Sequence, residues 1–271
     1  MAKPRWMYTI AHYFGLLCVA YISLSILFFL LSDSVLFQPP YPTQFQLSNS
    51  TLIIPSGNKK IIATYLPSRS HYTILYSHGN AEDLATLGPL LHYFQDQGFS
   101  ILSYDYQGYG ASDGKTSEQN TYQDIMAVYQ YMIRTLKIPA QNIVLYGRSL
   151  GSGPSLYLAN HKPVAGIILE APFVSAYRTL TYYAIFPFDK YNNVAWIKNL
   201  QVPILFIHGE EDSVIKSWNT KQLAQFVRGS KYFYWVKNAN HNDLLIIAGE
   251  RYWVELQKFI DIIAQSQQQK H

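Results

Sequence analysis

Apolar residues follow two different patterns along the chain, and the change falls near residue 37. From Tyr13 to Leu31 an uncharged apolar run covers roughly 19 residues, enough for one helix to span a bilayer core. The run is apolar on every face, which is not the pattern of a helix on the surface of a soluble domain. Beyond residue 50, short apolar segments alternate with longer amphipathic ones. The pattern predicts a membrane helix followed by a folded domain.

The second pattern predicts the strands and helices of an α/β domain. Strand candidates at 52–55 and 61–66 flank a Ser56-Gly57-Asn58 turn, which indicates an antiparallel hairpin at a sheet edge. Amphipathic helices separate the remaining strands, so the prediction is an eight-stranded, mostly parallel sheet with helices on both faces. The later strands are predicted at 73–76, 99–104, 142–146, 164–169, 203–207 and 232–236, with helices at 83–97 and 121–136.

Composition narrows the class of protein. Of the 271 residues, 49% are hydrophobic and only 14% are charged, which excludes a disordered chain. The net charge is +4, and the Lys and Arg residues are scattered, so no nucleic-acid partner is expected. Cys18 is the single cysteine, which rules out a disulfide or a cysteine-based zinc site within the chain. We expect no metal and no cofactor.

The apolar run beginning at Tyr13 is interpreted as an uncleaved anchor rather than a signal peptide. A signal peptide has a shorter core and a small-residue cleavage site, for which Ser32-Asp33-Ser34 is a poor match. Lys3 and Arg5 precede the run and only Asp33 follows it closely, so the positive-inside rule puts the amino terminus in the cytoplasm. The expected organisation is an anchor at 1–36, a proline-rich linker at 37–50 and an extracytoplasmic domain at 51–271.

The segment from Gly147 to Gly151 has the G-x-S-x-G pattern of a nucleophile elbow. In such an elbow the serine occupies a sharp strand-to-helix turn, and the small residues beside it allow close approach of neighbouring backbone. An apolar strand candidate precedes the segment and a helix candidate starts near Pro154, which is the context that the elbow requires. The alternative is an ordinary glycine-rich turn. Ser149 is therefore the candidate nucleophile.

A serine nucleophile needs a base within hydrogen-bond reach and a carboxylate that fixes the tautomer of that base. The chain order Ser149, Asp212, His241 is the order required when the elbow lies in mid-sheet and its partners lie in loops after later strands. His241 is the predicted base and Asp212 the predicted acid.

Other carboxylates and histidines remain as alternatives. Glu210 and Glu211 share a loop with the predicted acid, and Glu170 ends an earlier strand. If they are not catalytic, Glu210 and Glu211 are solvated charges on the loop, and Glu170 is a buried carboxylate that orders the neighbouring loop. His78 and His208 precede glycines at strand ends and are interpreted as residues that shape those turns.

The tetrahedral intermediate of carbonyl attack also needs hydrogen-bond donors for its oxyanion. The backbone N–H of Leu150, directly after the nucleophile, is one candidate. The second is assigned to the backbone N–H of Asn80, in the turn formed by His78, Gly79 and Asn80.

Taken together, these motifs resemble those of the α/β-hydrolase family. Within this family, the chain resembles the membrane-anchored branch that includes acyl-protein thioesterases (depalmitoylases) and serine-aminopeptidase-like hydrolases. The features that carry this resemblance are the anchor, the Phe37-Gln38-Pro39 linker and the His78-Gly79-Asn80 turn. The chain differs from the depalmitoylases in lacking an N-terminal cysteine cluster. The resemblance covers residues 52 to the end and rests on Gly147 to Gly151, Ser77 to Asn80, Asp105 to Ser112, His208 to Asp212 and Asn240-His241.

The resemblance implies an α/β-hydrolase fold with a small lid at about 173–200. This segment is rich in aromatic residues, and Tyr177, Tyr183 and Phe186 are the predicted substrate-binding residues, although core packing explains such aromatics equally well. We expect a serine hydrolase that cleaves an ester or thioester of an acyl, lipid-like substrate through an acyl-enzyme. The alternatives are a serine peptidase or amidase, and a membrane-tethered binding protein without catalysis.

Overall fold

The computed structural model describes residues 4–40, 45–46, 48–179 and 181–268. One sheet of eight strands forms the centre of the domain, and helices cover it. The strands are β1 (Thr51–Ser56), β2 (Lys59–Leu66), β3 (Thr73–Ser77), β4 (Ser100–Tyr104), β5 (Ile143–Arg148), β6 (Gly166–Glu170), β7 (Ile204–Gly209) and β8 (Lys231–Val236). The helices are α1 (Arg5–Leu36), α2 (Leu84–Asp96), α3 (Glu118–Arg134), α4 (Ser152–His161), α5 (Asn193–Ile197), α6 (Trp218–Gln225), α7 (Leu244–Ala248) and α8 (Glu250–Gln268).

The strand order is β1-β2-β4-β3-β5-β6-β7-β8. β1 and β2 form the predicted antiparallel hairpin at one edge, and β2 also pairs antiparallel with β4. All the other pairs are parallel. The prediction of an eight-stranded, mostly parallel sheet is confirmed. The carboxyl ends of the central strands therefore meet at one edge, where functional loops of such sheets collect.

The sheet separates two hydrophobic cores, because successive side chains of a strand point to opposite faces. In β5, Ile143 and Leu145 pack into one core, while Val144 and Tyr146 pack into the other. α3, α4 and α5 supply apolar side chains to the first core, and α2 and α8 supply them to the second. Helices thus cover both faces, as the apolar strands predicted.

Caps fix the starts of the helices that lead away from the sheet. The Asp83 side chain accepts a hydrogen bond from the Thr86 N–H, and the Thr86 hydroxyl accepts one from the Asp83 N–H, which forms a capping box at α2. The Ser117 side chain caps α3 in the same way by accepting from the Asn120 N–H. Because of this cap, α3 begins at Glu118, three residues before the predicted start at Thr121.

α1 extends over 32 residues, further in both directions than the predicted apolar run. Within the part of the chain that the structure describes, it is the one helix long and apolar enough to cross a bilayer. The first residue after α1 still packs against the domain. Phe37 is buried in the first core, where its ring lies against Tyr191 with 6.2 Å between ring centroids. The remainder of the predicted linker includes residues 41–44 and 47, which lie outside the described residues.

Candidate active site

Ser149 lies at the turn between β5 and α4 in a backbone conformation that residues other than glycine rarely adopt. Its φ is 48°, in the left-handed region, and residues Ser149–Gly151 form a single 3₁₀ turn. A Cβ at Gly147 would lie 2.6 Å from the Gly151 carbonyl oxygen, and one at Gly151 would collide with the backbone of Ser77. Both glycines are therefore required for backbone to pass close to the serine, which is the geometry of a nucleophile elbow.

The structure brings Ser149, Asp212 and His241 together from three different loops. The His241 Nε2 lies 3.2 Å from the Ser149 hydroxyl oxygen, and its Nδ1 lies 2.7 Å from an Asp212 carboxylate oxygen. With hydrogen on Nδ1, the ring donates to Asp212 and accepts from the serine hydroxyl. This is the arrangement in which a serine can pass its proton to an imidazole.

The environment of Asp212 favours its ionised form. Burial by itself would raise the pKa of this carboxyl, but the hydrogen bond and charge of His241 and the Ile215 N–H lower it, and the net pKa lies below the ordinary value. The second carboxylate oxygen accepts from the backbone N–H groups of Val214 and Ile215, at 2.8 and 2.7 Å. Asp212 is thus fixed as an acceptor for the Nδ1–H of His241.

The alternative acids are placed elsewhere. Glu210 and Glu211 are exposed on the loop after β7. Glu170 is buried and accepts hydrogen bonds from the hydroxyls of Tyr146 and Tyr252 and from the Arg148 guanidinium. Its carboxylate is therefore used by these partners and not by the imidazole of His241.

The two alternative histidines are buried within the fold. His208 lies with its Nδ1 2.7 Å from the Thr220 hydroxyl and its Nε2 2.8 Å from the Ile215 carbonyl, and burial lowers its pKa. His78 lies with its Nδ1 2.8 Å from the Gly79 carbonyl, and burial lowers its pKa to about 4. Both therefore act as neutral groups that hold loops, in agreement with their interpretation as turn residues.

Arg148, next to the candidate nucleophile, connects three loops around the site. Its guanidinium forms ion pairs with Glu82 and Glu170 and donates to the His241 carbonyl and the Asn242 side chain, at 3.2 and 3.1 Å. Burial would lower its pKa, but the two carboxylates raise the pKa above its ordinary value. Sequence reasoning did not find this role, although Arg148 and Glu170 are register partners in β5 and β6.

The predicted oxyanion donors lie at the same cavity as the serine. Asn80, Ser149 and Leu150 all line it. The turn that carries Asn80 is held by the Glu82 carboxylate, which accepts from the Gly79 N–H at 2.7 Å. The Asn80 side chain donates to the Leu36 carbonyl and accepts from the Gln38 N–H, at the end of α1.

The cavity beside Ser149 has a volume of about 460 Å³ and a mostly apolar lining. Of the predicted substrate-binding residues, Tyr177 and Phe186 line it. The structure does not bring Tyr183 to the cavity, because that side chain is 77% exposed. Residues of α1 also line the cavity, among them Phe28 and Ser32. Sequence analysis treated α1 only as an anchor and did not include these residues in the site.

Comparisons with known proteins agree with this fold. A family model described as serine aminopeptidase, S33, matches residues 68–188. The α/β hydrolase domain-containing protein aho-3 of Caenorhabditis elegans is 35% identical over 204 residues, which cover 72% of this chain and 59% of the relative. The human α/β hydrolase domain-containing protein 17C is 37% identical over 204 residues, covering 70% of this chain and 58% of the relative. The chain thus spans less than two thirds of the length of these relatives.

Solved structures place the domain in the same fold. An esterase of Pyrococcus furiosus superposes with a TM-score of 0.72 at 15% identity, covering 84% of this chain and 98% of the esterase. An esterase of Exiguobacterium antarcticum gives a TM-score of 0.61 at 17% identity, covering 77% and 98% of the two chains. The chain belongs to the α/β-hydrolase family.

Proposed function

We propose that the protein is a serine hydrolase that cleaves an ester or thioester bond of an acyl, lipid-like substrate. The observation that carries this proposal is the chain of contacts from Asp212 through His241 to Ser149, which ends at an apolar cavity of about 460 Å³. A cavity of this size with few polar groups suits an apolar group held beside the reacting carbonyl.

In the first half of the reaction, the Ser149 hydroxyl oxygen attacks the carbonyl carbon and its proton passes to the His241 Nε2. Asp212 stabilises the imidazolium that forms. The N–H groups of Asn80 and Leu150 bind the oxyanion of the tetrahedral intermediate. The intermediate then collapses, the bond to the alcohol or thiol breaks, and the leaving group takes the proton from His241.

In the second half, water replaces the leaving group. His241 removes a proton from the water, which attacks the carbonyl carbon of the acyl-enzyme, and a second tetrahedral intermediate forms at the same donors. Its collapse releases the carboxylic acid, and the serine oxygen recovers a proton from His241.

The proposal also assigns a place to the domain. α1 is the anchor, its amino-terminal end faces the cytoplasm, and the domain lies on the extracytoplasmic side. Lys3 and Arg5 before the apolar run support this direction through the positive-inside rule. Protease added outside sealed vesicles that expose the extracytoplasmic face should digest the domain, and complete protection would reverse the assignment.

Hydrolysis of a panel of p-nitrophenyl esters and acyl thioesters by the full chain in detergent tests the reaction. We expect wild type to turn over several members of the panel, Ser149→Ala to be inactive, and Ser266→Ala, a serine on the distant helix α8, to match wild type. Turnover in Ser149→Ala equal to wild type would refute the proposed nucleophile.

An amide of the same acyl group belongs in the panel because the matched family model is described as serine aminopeptidase, S33. The same contacts permit attack on an amide carbonyl if His241 protonates the leaving amine. Faster cleavage of an aminoacyl anilide than of the esters would favour a peptidase.

A further inference from the structure

One face of α1 runs along the lid and reaches the cavity beside Ser149. Phe28 stacks on Phe186 with 4.5 Å between ring centroids, and Phe29 packs edge-on against Phe188 at 5.2 Å. The Tyr21 hydroxyl donates to the Ile185 carbonyl at 2.7 Å. The lid therefore packs along about four turns of the helix, from Tyr21 to the end of α1.

The face that contacts the lid is marked by two serines. Ser25 and Ser32 are the buried residues of an otherwise exposed, apolar helix. Together with Tyr21, Phe28 and Val35 they follow a spacing of three and four residues, which places them in one stripe. Small polar residues in such a stripe are typical of a helix face that packs against protein rather than lipid.

This stripe borders two cavities in succession. The cavity at Ser149 is lined by Phe28, Ser32, Val35 and Leu36 of α1. A second cavity of about 290 Å³ lies between the α1 segment 21–29 and residues Pro187 and Phe188 of the lid. Phe188 lines both. The two cavities thus follow one another along the seam between α1 and the lid.

The seam leads toward the membrane. The apolar run that is long enough to cross the bilayer core extends from Tyr13 to Leu31, and most of the segment 21–29 beside the second cavity lies in the half of that run nearer the domain. The lid tip at this level exposes aromatic and aliphatic side chains: Tyr182 is 52%, Tyr183 77% and Ile185 56% exposed. Exposed aromatic residues at this depth suit the membrane interface. The Lys190–Asp33 ion pair lies further along the helix, on the water side.

We propose that the α1–lid seam is a binding channel for a long fatty acyl chain carried by a membrane-resident molecule. The chain enters from the leaflet on the domain side, its carbonyl reaches Ser149, and its tail remains along the face with Ser25 and Ser32. α1 is then part of the substrate-binding site and sets chain-length preference, beyond its use as an anchor. The inference rests on the proposed acyl hydrolysis at Ser149.

The activity test uses the full chain in lipid nanodiscs and compares kcat/KM for p-nitrophenyl palmitate with that for p-nitrophenyl butyrate. Each methylene that loses its buried contact lowers the rate constant for the long chain by about fourfold. We expect Ser32→Phe, which fills the seam, to lower the palmitate-to-butyrate ratio at least tenfold. Ser34→Phe makes the same change on an exposed face of α1 and should leave the ratio within twofold of wild type.

A second blocking variant is included in case Ser32→Phe does not fold. Val35 lines the cavity but is 55% exposed, so Val35→Trp adds bulk at the seam without crowding a buried position. It should lower the same ratio, with fluorophosphonate labelling as the check that the domain is folded. Ratios within twofold of wild type in both Ser32→Phe and Val35→Trp would overturn the channel.

A binding measurement separates this inference from the proposed reaction. Full-length Ser149→Ala protein in nanodiscs is irradiated with a diazirine-bearing palmitic acid, and crosslinked peptides are mapped. We expect crosslinks at Leu150 and Phe173, which are buried at the cavity, and their loss when Ser32→Phe but not Ser34→Phe is added. Crosslinks confined to lipid-facing residues of α1 would refute the channel. A wild type that binds the probe but hydrolyses no ester would instead refute the proposed function.

Discussion

The Asn80 side-chain nitrogen lies 2.6 Å from the Leu36 carbonyl oxygen, which joins the predicted oxyanion turn to the last residue of α1. The Asn80 side-chain oxygen also accepts hydrogen bonds from the Gln38 N–H at 2.9 Å and the Tyr109 hydroxyl at 2.6 Å. The side-chain amide of Asn80 thus forms hydrogen bonds at the end of α1 and holds the turn that carries the predicted oxyanion donor, beside the cavity at Ser149. Hydrogen bonds of this residue therefore connect α1 with the loop beside the site.

Asn80→Ala tests the connection. The variant keeps the backbone N–H but removes the bonds that orient its turn, so we expect kcat for a short-chain ester to fall roughly 10- to 100-fold, with KM little changed. Asn199→Ala, the same change at an exposed asparagine between α5 and β7, is the control. Steady-state kinetics measure both. A kcat for Asn80→Ala equal to that of the control would show that the side chain does not position the turn.

Arg148 allows a prediction about stability and activity together. Arg148→Met leaves the carboxylates of Glu82 and Glu170 unpaired, although their side chains are only 21% and 8% exposed. We expect the free energy of unfolding to fall by about 3–5 kcal/mol, with a loss of activity because the His241 loop is released. Arg148→Lys keeps the positive charge but loses the planar guanidinium, which binds two partners at once. This variant should therefore retain only part of the stability and part of the activity.

A double-mutant cycle checks that the loss comes from the ion pairs. Adding Glu82→Gln to Arg148→Met removes one of the unpaired charges, so the double variant should be more stable than the sum of the single effects predicts. Denaturant unfolding supplies the four free energies. Strict additivity would mean that Arg148 stabilises the loops by packing alone.

Asp105 gives a prediction about pH. Burial, with a smaller contribution from the charge of Asp83, raises the pKa of Asp105 to about 7. The unfolded chain ionises this group near pH 4, so between about pH 4 and pH 7 the folded protein binds more protons. The free energy of unfolding therefore falls as the pH rises through this window. Asp105→Asn should reduce that fall by up to about 4 kcal/mol.

Chemical unfolding at pH 5 and pH 8 measures the effect, with Asp96→Asn at an exposed position as the control. The His78 Nε2 lies 3.8 Å from an Asp105 carboxylate oxygen, so His78 is a titratable group in the same site. Identical pH dependence in Asp105→Asn and wild type would show that the carboxyl titrates outside this window.

Gly151 provides a steric prediction. A Cβ there would collide with the Ser77 backbone, so we expect Gly151→Ala to destabilise the domain by about 3 kcal/mol or more and to abolish activity. Gly15→Ala places the same methyl group in open space on α1 and should change neither. Thermal melts followed by near-UV circular dichroism compare the two. Equal melting temperatures would mean that the backbone at the elbow relaxes around the added carbon.

The sequence predicted most of the fold because each strand is an apolar run and each connecting helix is amphipathic. The predicted ends of helices were less accurate where a capping side chain decides them. The Ser117 cap, for example, makes α3 begin before the first residue of its apolar face. α1 lies within the predicted anchor at 1–36 and extends beyond the apolar run at both ends. No proline occurs between Pro4 and Pro39, so none interrupts the helix from Arg5 to Leu36.

The site was accessible from the sequence where chain order and strand ends determine position, as for Ser149, Asp212 and His241. Their catalytic roles stay a prediction. Contacts between elements far apart in the chain were not accessible: neither Arg148 with Glu82 nor Phe28 with Phe186 has a local signal. The one available sign was the pair Ser25 and Ser32, seven residues apart in an apolar helix, which indicates a packed face.

Covalent labelling of Ser149 tests the central claim most directly. Full-length protein is treated with a fluorophosphonate, digested, and the modified residue is located by mass spectrometry in wild type, Ser149→Ala and His241→Ala. We predict one label per chain on Ser149 in wild type, none in Ser149→Ala, and labelling at least 100-fold slower in His241→Ala, because the hydroxyl then lacks its base. A label on another residue that persists in Ser149→Ala, or no label on wild type, would contradict the account.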